Sequence, residues 1–324
     1  IYKICPFCNE KTKPHFFNAR KNEFSDKKEE GFSETKTFKL NIKKYFEAAK
    51  KSLGLKIYPD MIKGVRGTVN HSHIPERLEK GFLRAMNRLN VNKEGTVRCD
   101  ASELPITHFK PKEIGTSLEK LKTLGYEKDI YGKPLENNNQ ILELKPQDIL
   151  LPAFPSPAEE PIAAVFLRVA NFIDQELEKL YRLPKFYKIK TEEDLIGHLV
   201  IGLAPHTSAG IVCRIIGFTN TQGFFAHPYL HAAMRRDCDG DESAIILLLD
   251  AFINFSKKYI SSNRGSTMDC PLVLTPKLLP AEVDDMVFNM DIAKKYPLSF
   301  YRACEEYRLP WKIDDEIKTI KNTA

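Results

Sequence analysis

Three carboxylates stand at alternate positions in Arg235-Arg236-Asp237-Cys238-Asp239-Gly240-Asp241-Glu242, with a glycine between the last two. In an extended chain, side chains at i, i+2 and i+4 project to one side. Three like charges on one face repel unless a cation neutralises them, and hard oxygen donors suit Mg²⁺ or Mn²⁺. Gly240 lacks a Cβ, so the backbone there can bend and let the neighbouring carboxylates converge. Arg235 and Arg236 are placed to hold an anion such as phosphate beside the metal. Acids, metal and guanidinium together point to phosphoryl or nucleotidyl transfer, in which the ion stabilises developing charge. A calcium loop of the EF-hand type is excluded. Counted from Asp237, its glycine position is Glu242 and its bidentate glutamate position is Leu248. A charged surface turn is the plainer alternative. Against it stand the apolar pieces Ile211-Val212, Ile215-Ile216 and Ala244 to Leu249, because acids wedged between buried strands are costly unless paired or metallated.

Other residues offer chemistry less completely. Cys5-Pro6-Phe7-Cys8 is a C-x-x-C knuckle, half of a tetrahedral Zn²⁺ site. Its second half is not visible: His15 is the only imidazole nearby and Cys99 is remote. A redox pair would need a βαβ setting that the lysine-rich continuation does not offer. Lys63-Gly64-Val65-Arg66-Gly67 is a basic turn, read equally as a phosphate contact through Lys63 and Arg66 or as a tight turn with exposed charge. In Lys128-Asp129-Ile130-Tyr131-Gly132-Lys133-Pro134, tyrosine beside Lys133 suits a single-stranded nucleic acid, although such aromatics are more often core. His198, His206, His227 and His231 lie between short apolar segments. Only His206, in the Ala204-Pro205-His206-Thr207-Ser208 turn, is taken as a phosphate contact, the others as core hydrogen-bonding residues. Cys238 is expected to pack inward, opposite the carboxylates.

The chain has 324 residues, enough for two or more domains. Its 42% apolar content is ordinary for a globular protein, and no apolar run reaches the roughly 18 residues of a membrane span. Seven cysteines, with only two close together, argue for a reducing, cytoplasmic setting rather than a disulfide framework. No leader-like segment opens the chain, and a start at Ile1, almost directly on a metal motif, reads as a fragment. Net charge is +6, but residues 1–66 carry 16 Lys and Arg against 8 Asp and Glu, so that segment holds +8 and the remainder −2. A basic segment of this kind suits a polyanion. Neither a P-loop, nor a G-x-G-x-x-G, nor an internal repeat is present.

Elements able to position the acids can be read around them. Leu40, Tyr45, Phe46, Ala49 and Leu53 recur at helical spacing up to Gly54. Glu76 to Met86 reads as helix, Val97 to Asp100 as strand and turn, and Leu118, Leu121 and Leu124 as a short helix closed by Gly125. Four prolines between 152 and 161 mark a linker. The clearest amphipathic helix follows, from Ile162 to Tyr181. Thr191 or the acids after it are placed to cap another. From 197 to 247, short apolar segments split by glycine, proline and histidine have the texture of a small barrel. Leu247 to Tyr259 reads as helix, and Val283 to Asp291 as part of a last helical region.

His227-Pro228, followed by Asp237-Cys238-Asp239-Gly240-Asp241, resembles the catalytic signature of the two-barrel polymerases. The longer text is similar to the large, catalytic subunit of archaeal family-D DNA polymerase. The pieces that carry this run from Gly197 to Gly210, through Arg214-Ile215-Ile216-Gly217-Phe218, and from Met268-Asp269 to Pro271-Leu272-Val273-Leu274-Thr275. Ile74-Pro75-Glu76-Arg77 after the Lys63 turn also fits. The family motif has asparagine at the position of Asp237, so the resemblance carries Asp239 and Asp241 over as Mg²⁺ ligands and leaves Asp237 open.

The resemblance implies an α+β fold in which a double-psi β-barrel carries the D-x-D-G-D loop, with flanking helices and an N-terminal zinc-knuckle region. The implied division is 1–35 zinc region and loop, 36–150 basic DNA-contacting region, 151–195 linker and packing helix, 196–280 barrel, and 281–324 C-terminal helices. It implies DNA-directed DNA polymerase activity on primer–template DNA and dNTP. The remaining part of the large subunit, a small proofreading exonuclease subunit and a sliding clamp are the implied partners. A metal-dependent nuclease and a non-catalytic DNA-binding module are the rival classes.

Overall fold

The computed structural model describes residues 16–18, 23–25, 41–54, 62, 76–92, 95–153, 160–204, 209–255, 273–274 and 285–323. Cys5, Cys8, Lys63, Arg66 and His206, with the zinc knuckle and the Lys63 turn, lie outside these residues. The chain divides into two compact units, 1–49 and 50–324. In the first, β1 (Phe16–Asn18) pairs antiparallel with β2 (Glu23–Ser25), Phe16 opposite Ser25. Helix α1 (Ile42–Leu53) stops at Gly54, whose φ of +61° is a left-handed stop signal.

The second unit is built on a closed barrel. In chain order its elements are α2 (Leu78–Met86), β3 (Cys99–Pro105), β4 (His108–Phe109), α3 (Pro111–Ile114), α4 (Leu118–Thr123), β5 (Leu142–Glu143), β6 (Asp148–Pro152) and α5 (Ile162–Glu176). Then come α6 (Glu192–Leu195), β7 (Leu199–Leu203), β8 (Ala209–Thr219), β9 (Gly223–Ala226), α7 (Pro228–Met234), β10 (Glu242–Leu247), α8 (Leu248–Asn254), β11 (Val273–Leu274) and α9 (Leu298–Glu305). Six strands run in the order β8-β6-β9-β3-β10-β7, and β7 pairs back onto β8 to close the ring. The pairs β6/β8 and β3/β9 are parallel, the others around the ring antiparallel. A mixed α+β fold with a closed six-stranded barrel and flanking helices is what the resemblance implied, and it is consistent with a double-psi barrel.

The barrel reaches outside the expected stretch 196–280. Two of its strands, β3 and β6, lie upstream of residue 153, and Pro152, read as the edge of a linker, pairs with Thr219 at the end of β6. Both strands are short and join their partners across long sequence distances, so local periodicity could not place them in the ring. Strand β6 is buried along its whole length and reads as an unbroken apolar run rather than an alternation. The excursion between β3 and β6 has its own core of Phe109, Ile114, Leu121, Tyr126, Leu135, Leu142 and Leu144, closed onto Ile216 of β8. Gly217 makes that approach possible: a Cβ there would lie 2.8 Å from Thr116 Oγ1 and 2.9 Å from the Ile114 carbonyl. Tyr126 donates to Asp148 at 2.6 Å, and Arg214 grips the same carboxylate through Nε and Nη2, both at 2.8 Å.

Helix α5 buries Ile162, Phe166, Val169, Phe172 and Ile173, as its period predicts. The predicted last turn is present but widened into a π turn, Leu177–Tyr181, closed by Arg182 at φ +58°. Asp174 then accepts the backbone N–H groups of Phe186, Tyr187 and Lys188, which turns the chain back toward β7. Thr191 and Asp194 form a capping box at α6. The helix expected to reach Tyr259 ends at Asn254, with Phe255 extended. The last region holds a 3-10 turn, Asp285–Asn289, whereas Asp291 bridges in β fashion to Thr319.

A buried polar network ties the helices to the barrel. Lys80 donates to Asn254 Oδ1 at 2.7 Å and lies 3.5 Å from Glu176. Asn254 Nδ2 donates to Glu176 and Asp250, and Asp250 accepts the Val97 N–H at 2.7 Å. Arg84, fully buried, forms a two-pronged ion pair with Glu76 and donates to the Gly95 carbonyl. Burial pushes the Asp250 carboxyl from 3.8 up to about 6. The folded chain therefore holds a proton that the unfolded chain releases near pH 3.8, so the contribution of this group to stability is fully present below that pH and is lost as the pH rises through about 6. Urea unfolding of the wild type and Asp250→Asn is expected to show the wild type losing stability relative to the variant between pH 4 and 6, with a constant difference above pH 7. A difference that does not change with pH would remove this assignment.

Candidate metal centre

Helix α7 leads into the aspartate loop. His227 caps its start, its Nδ1 accepting the Tyr229 N–H at 3.1 Å, and Pro228 occupies the first turn where no N–H is needed. Burial lowers His227 to about 4, so it is a neutral acceptor at ordinary pH, which suits the cap. The helix ends at Arg235, which takes a left-handed conformation, φ +64°, and the Arg236 N–H returns to the His231 carbonyl at 2.9 Å.

The loop is not extended. Cys238 has φ +65° and Gly240 φ +130°, the latter a region that side-chain-bearing residues rarely enter. Convergence of the carboxylates therefore comes from a folded loop, not from the alternation of a strand. Oxygens of Asp237, Asp239 and Asp241 all lie within 4.8 Å of one another, as the spacing predicted by a different route. Asp239 is exposed, and Asp237 and Asp241 are half-buried. Arg236 lies 3.6 Å from Asp241. Burial, followed by the charges of Asp237, Asp239 and Glu103, raises the Asp241 carboxyl against the pull of Arg236. Three hard oxygen donors at this separation, one of them strained by its neighbours, fit a divalent cation.

Strand β10 fixes the loop's far end. It lies between β3 and β7, and the Glu103 N–H on β3 donates to the Asp241 carbonyl at 2.9 Å. Cys238 does turn inward, against Ala232, Val287, Met290, Ile292 and Ile320. Burial raises its thiol, and the surrounding carboxylates raise it further, so it is not poised as a nucleophile.

Of the other predicted residues, Lys133 sits elsewhere, exposed in a turn whose backbone N–H groups at Tyr131 and Lys133 are held by Asp129. None of its described contacts reaches the aspartate loop. Two residues were not singled out in the sequence. Glu103 is 1% exposed, and His231, read only as a core residue, faces it at 3.4 Å. With Cys238 they form a second cluster of ligand-type atoms within 4.8 Å, directly beneath the loop. The signal for Glu103 was available: it occupies the inward register of β3 after Cys99 and Ala101.

Comparison with known proteins agrees with this geometry. Residues 55–324 match the family described as DNA polymerase II large subunit DP2, catalytic domain. The DNA polymerase II large subunit of Archaeoglobus fulgidus is 52% identical over 284 residues, 88% of this chain and 24% of that protein. The Pyrococcus furiosus protein of the same name is 48% identical over 318 residues, 98% of this chain and 23% of its own length. That of Nanoarchaeum equitans is 54% identical over 274 residues, 81% of this chain and 22% of its own. The chain thus spans about a quarter of the length of these relatives. Within that span, the closed barrel, the folded aspartate loop and the match from residue 55 to the last residue place this chain in the family of the DNA polymerase II large subunit, catalytic domain.

Proposed function

We propose that this chain supplies the metal-binding half of a DNA polymerase active site and takes part in nucleotidyl transfer from dNTP to a primer 3′-hydroxyl. The observation that carries the reading is the convergence of three carboxylates in a loop on a closed barrel, in a chain of this family. When bound, Mg²⁺ or Mn²⁺ would supply the positive charge that lowers the pKa of the attacking hydroxyl and neutralises the triphosphate. Asp239 and Asp241 would hold that ion, and Asp237, whose oxygen lies within 4.8 Å of theirs, would add a third donor. Arg236, already against Asp241, is placed to turn toward an incoming phosphate, and Arg235, the left-handed residue that ends the helix, is the second proposed phosphate contact. Lys63, Arg66, His206 and Lys133 are proposed as outlying contacts to the DNA backbone, and Cys5 and Cys8 as Zn²⁺ ligands completed from elsewhere.

The catalytic aspartates sit on one barrel, whereas the resemblance implies an active site between two, with basic residues contributed by the second. Primer–template DNA, the rest of the large subunit, a small proofreading subunit and a sliding clamp are the proposed partners, in the cytoplasm. Among the described residues no helix is long and apolar enough to cross a membrane.

In the assembled polymerase, Asp239→Asn is expected to lower primer extension by at least about 100-fold, the scale lost when one preorganised transition-state partner is removed. Primer–template affinity should stay within about twofold, because phosphate contacts elsewhere dominate it. Equal loss of both would make Asp239 structural. A second expectation is that this 324-residue chain alone does not extend a primed template, and gains activity only when the remaining large-subunit polypeptide is added. Extension by the isolated chain at the assembled rate would overturn the shared-site reading. Degradation of DNA with Mg²⁺ and no dNTP, abolished by Asp239→Asn, would favour a nuclease.

A further inference from the structure

The two ends of the aspartate loop are held by different elements, and one buried contact joins the holders. At the near end, His231 on α7 accepts the Arg236 N–H on its carbonyl at 2.9 Å. At the far end, Glu103 on β3 donates its N–H to the Asp241 carbonyl at 2.9 Å, and its Oε1 takes the Ser243 hydroxyl, two residues beyond Asp241. Between the holders, His231 Nδ1 and Glu103 Oε2 face one another at 3.4 Å, with both side chains fully buried. Neither atom has a hydrogen-bond partner among the described residues, so each is the nearest polar group the other faces. The imidazole cannot swing away. Its Nε2 lies 3.2 Å from the Leu104 carbonyl, and the Phe224 ring packs edge-on against it at 5.6 Å.

A carboxylate in a core position is costly, so its retention calls for a compensating contact. Here that contact spans the base of the loop. Helix α7 is also tied to β3 through His231 Nε2 on the Leu104 carbonyl and through β9, which pairs with β3 and runs into α7. Only the contact between Glu103 and His231 joins the two residues that hold the ends of the loop, which contains a positive-φ cysteine and glycine. We infer that Glu103 and His231 are positioning residues, a buried brace that sets the span of the loop and so the separation of Asp239 and Asp241. This rests on the polymerase reading of the loop. Cys238, the third member of the cluster, sits on the loop and packs against the core that holds Val287 and Ile292.

The test uses the assembled polymerase carrying Glu103→Gln, His231→Gln or His231→Asn, with Asp239→Asn as control. An asparagine amide reaches the place of Nδ1 and can meet Glu103 with either its N–H or its oxygen, whereas a glutamine amide reaches the place of Nε2 and does not. Glu103→Gln and His231→Gln are each expected to raise the Mg²⁺ concentration for half-maximal extension about tenfold, the lower end of the effect of losing a group that orients a metal ligand. Primer–template affinity should not change, His231→Asn should recover most of the loss, and the Glu103→Gln/His231→Gln double variant should be no worse than either single. Unchanged Mg²⁺ dependence, with any loss of rate tracking the melting temperature, would overturn the brace, as would equal behaviour of His231→Asn and His231→Gln. The His231 pair carries the test independently should Glu103→Gln fail to assemble. One equivalent of a transition metal in the wild type, lost in Glu103→Gln, would replace the brace by a metal site on Glu103, His231 and Cys238. Full extension by Asp239→Asn would remove the polymerase reading and the brace with it. An inactive Asp239→Asn beside an unaltered Glu103→Gln would remove the brace alone.

Discussion

Mutual repulsion among Asp237, Asp239 and Asp241 is the constraint the site has to satisfy. Their oxygens lie within 4.8 Å of one another. Two unit charges about 4 Å apart repel by about 1 kcal/mol in water and about 4 kcal/mol at the effective dielectric of a protein surface. Arg236 at 3.6 Å from Asp241 offsets part of this repulsion. A free loop would relieve the repulsion by opening. This one is prevented from doing so by its own backbone, which is turned at Cys238 and Gly240, and by the hydrogen bonds at both its ends. The loop therefore keeps three carboxylates together, an arrangement a divalent cation would relieve.

A barrel suits that task because it has no free edge through which strain could relax. Strand β10, which carries the loop, is paired on both sides, with β3 and with β7. Its other end runs directly into α8, where Asp250 and Asn254 enter the buried network with Lys80 and Glu176. The strand is thus anchored at one end by side-chain hydrogen bonds in a dry interior, and at the other by Glu103 and Ser243. A displacement of α5 or α2 would be felt along β10, because close-packed interiors transmit strain rather than absorb it.

Much of this was legible in the chain and some was not, for reasons that differ. Helices with strong periodicity or a glycine stop, such as 42–53, 118–123 and 162–176, follow from local sequence. The aspartate spacing announced the convergence, yet not the conformation: alternation suggested an extended strand, whereas positive φ at Cys238 places the loop in a region that only local context selects. Barrel strand β3 was read only at its start, in Val97 to Asp100, and β6 escaped, because a seven-residue and a five-residue strand with non-local parallel partners carry too little periodic signal. Glu103 was missed although it continues the alternation of Cys99 and Ala101, because an acid at an inward position is read as exposed until the strand is known to be buried on that face. His231 was visible as a core histidine, and only the fold shows what it faces.

The third acid can be weighed on the same electrostatic terms. The resemblance places asparagine where this chain has Asp237, and the geometry places Asp237 within reach of the same ion as its two neighbours. An asparagine oxygen contributes a ligand without a charge, so the substitution leaves the donor set intact while changing its total. With aspartate the empty site is more strained, which is part of why the Asp241 carboxyl is raised, and its net attraction for a cation is greater. Ligand charge tunes divalent-ion affinity in oxygen sites. Were a divalent cation held here, three acids would hold it more tightly than two, and Arg236, by shielding Asp241, would reduce that gain.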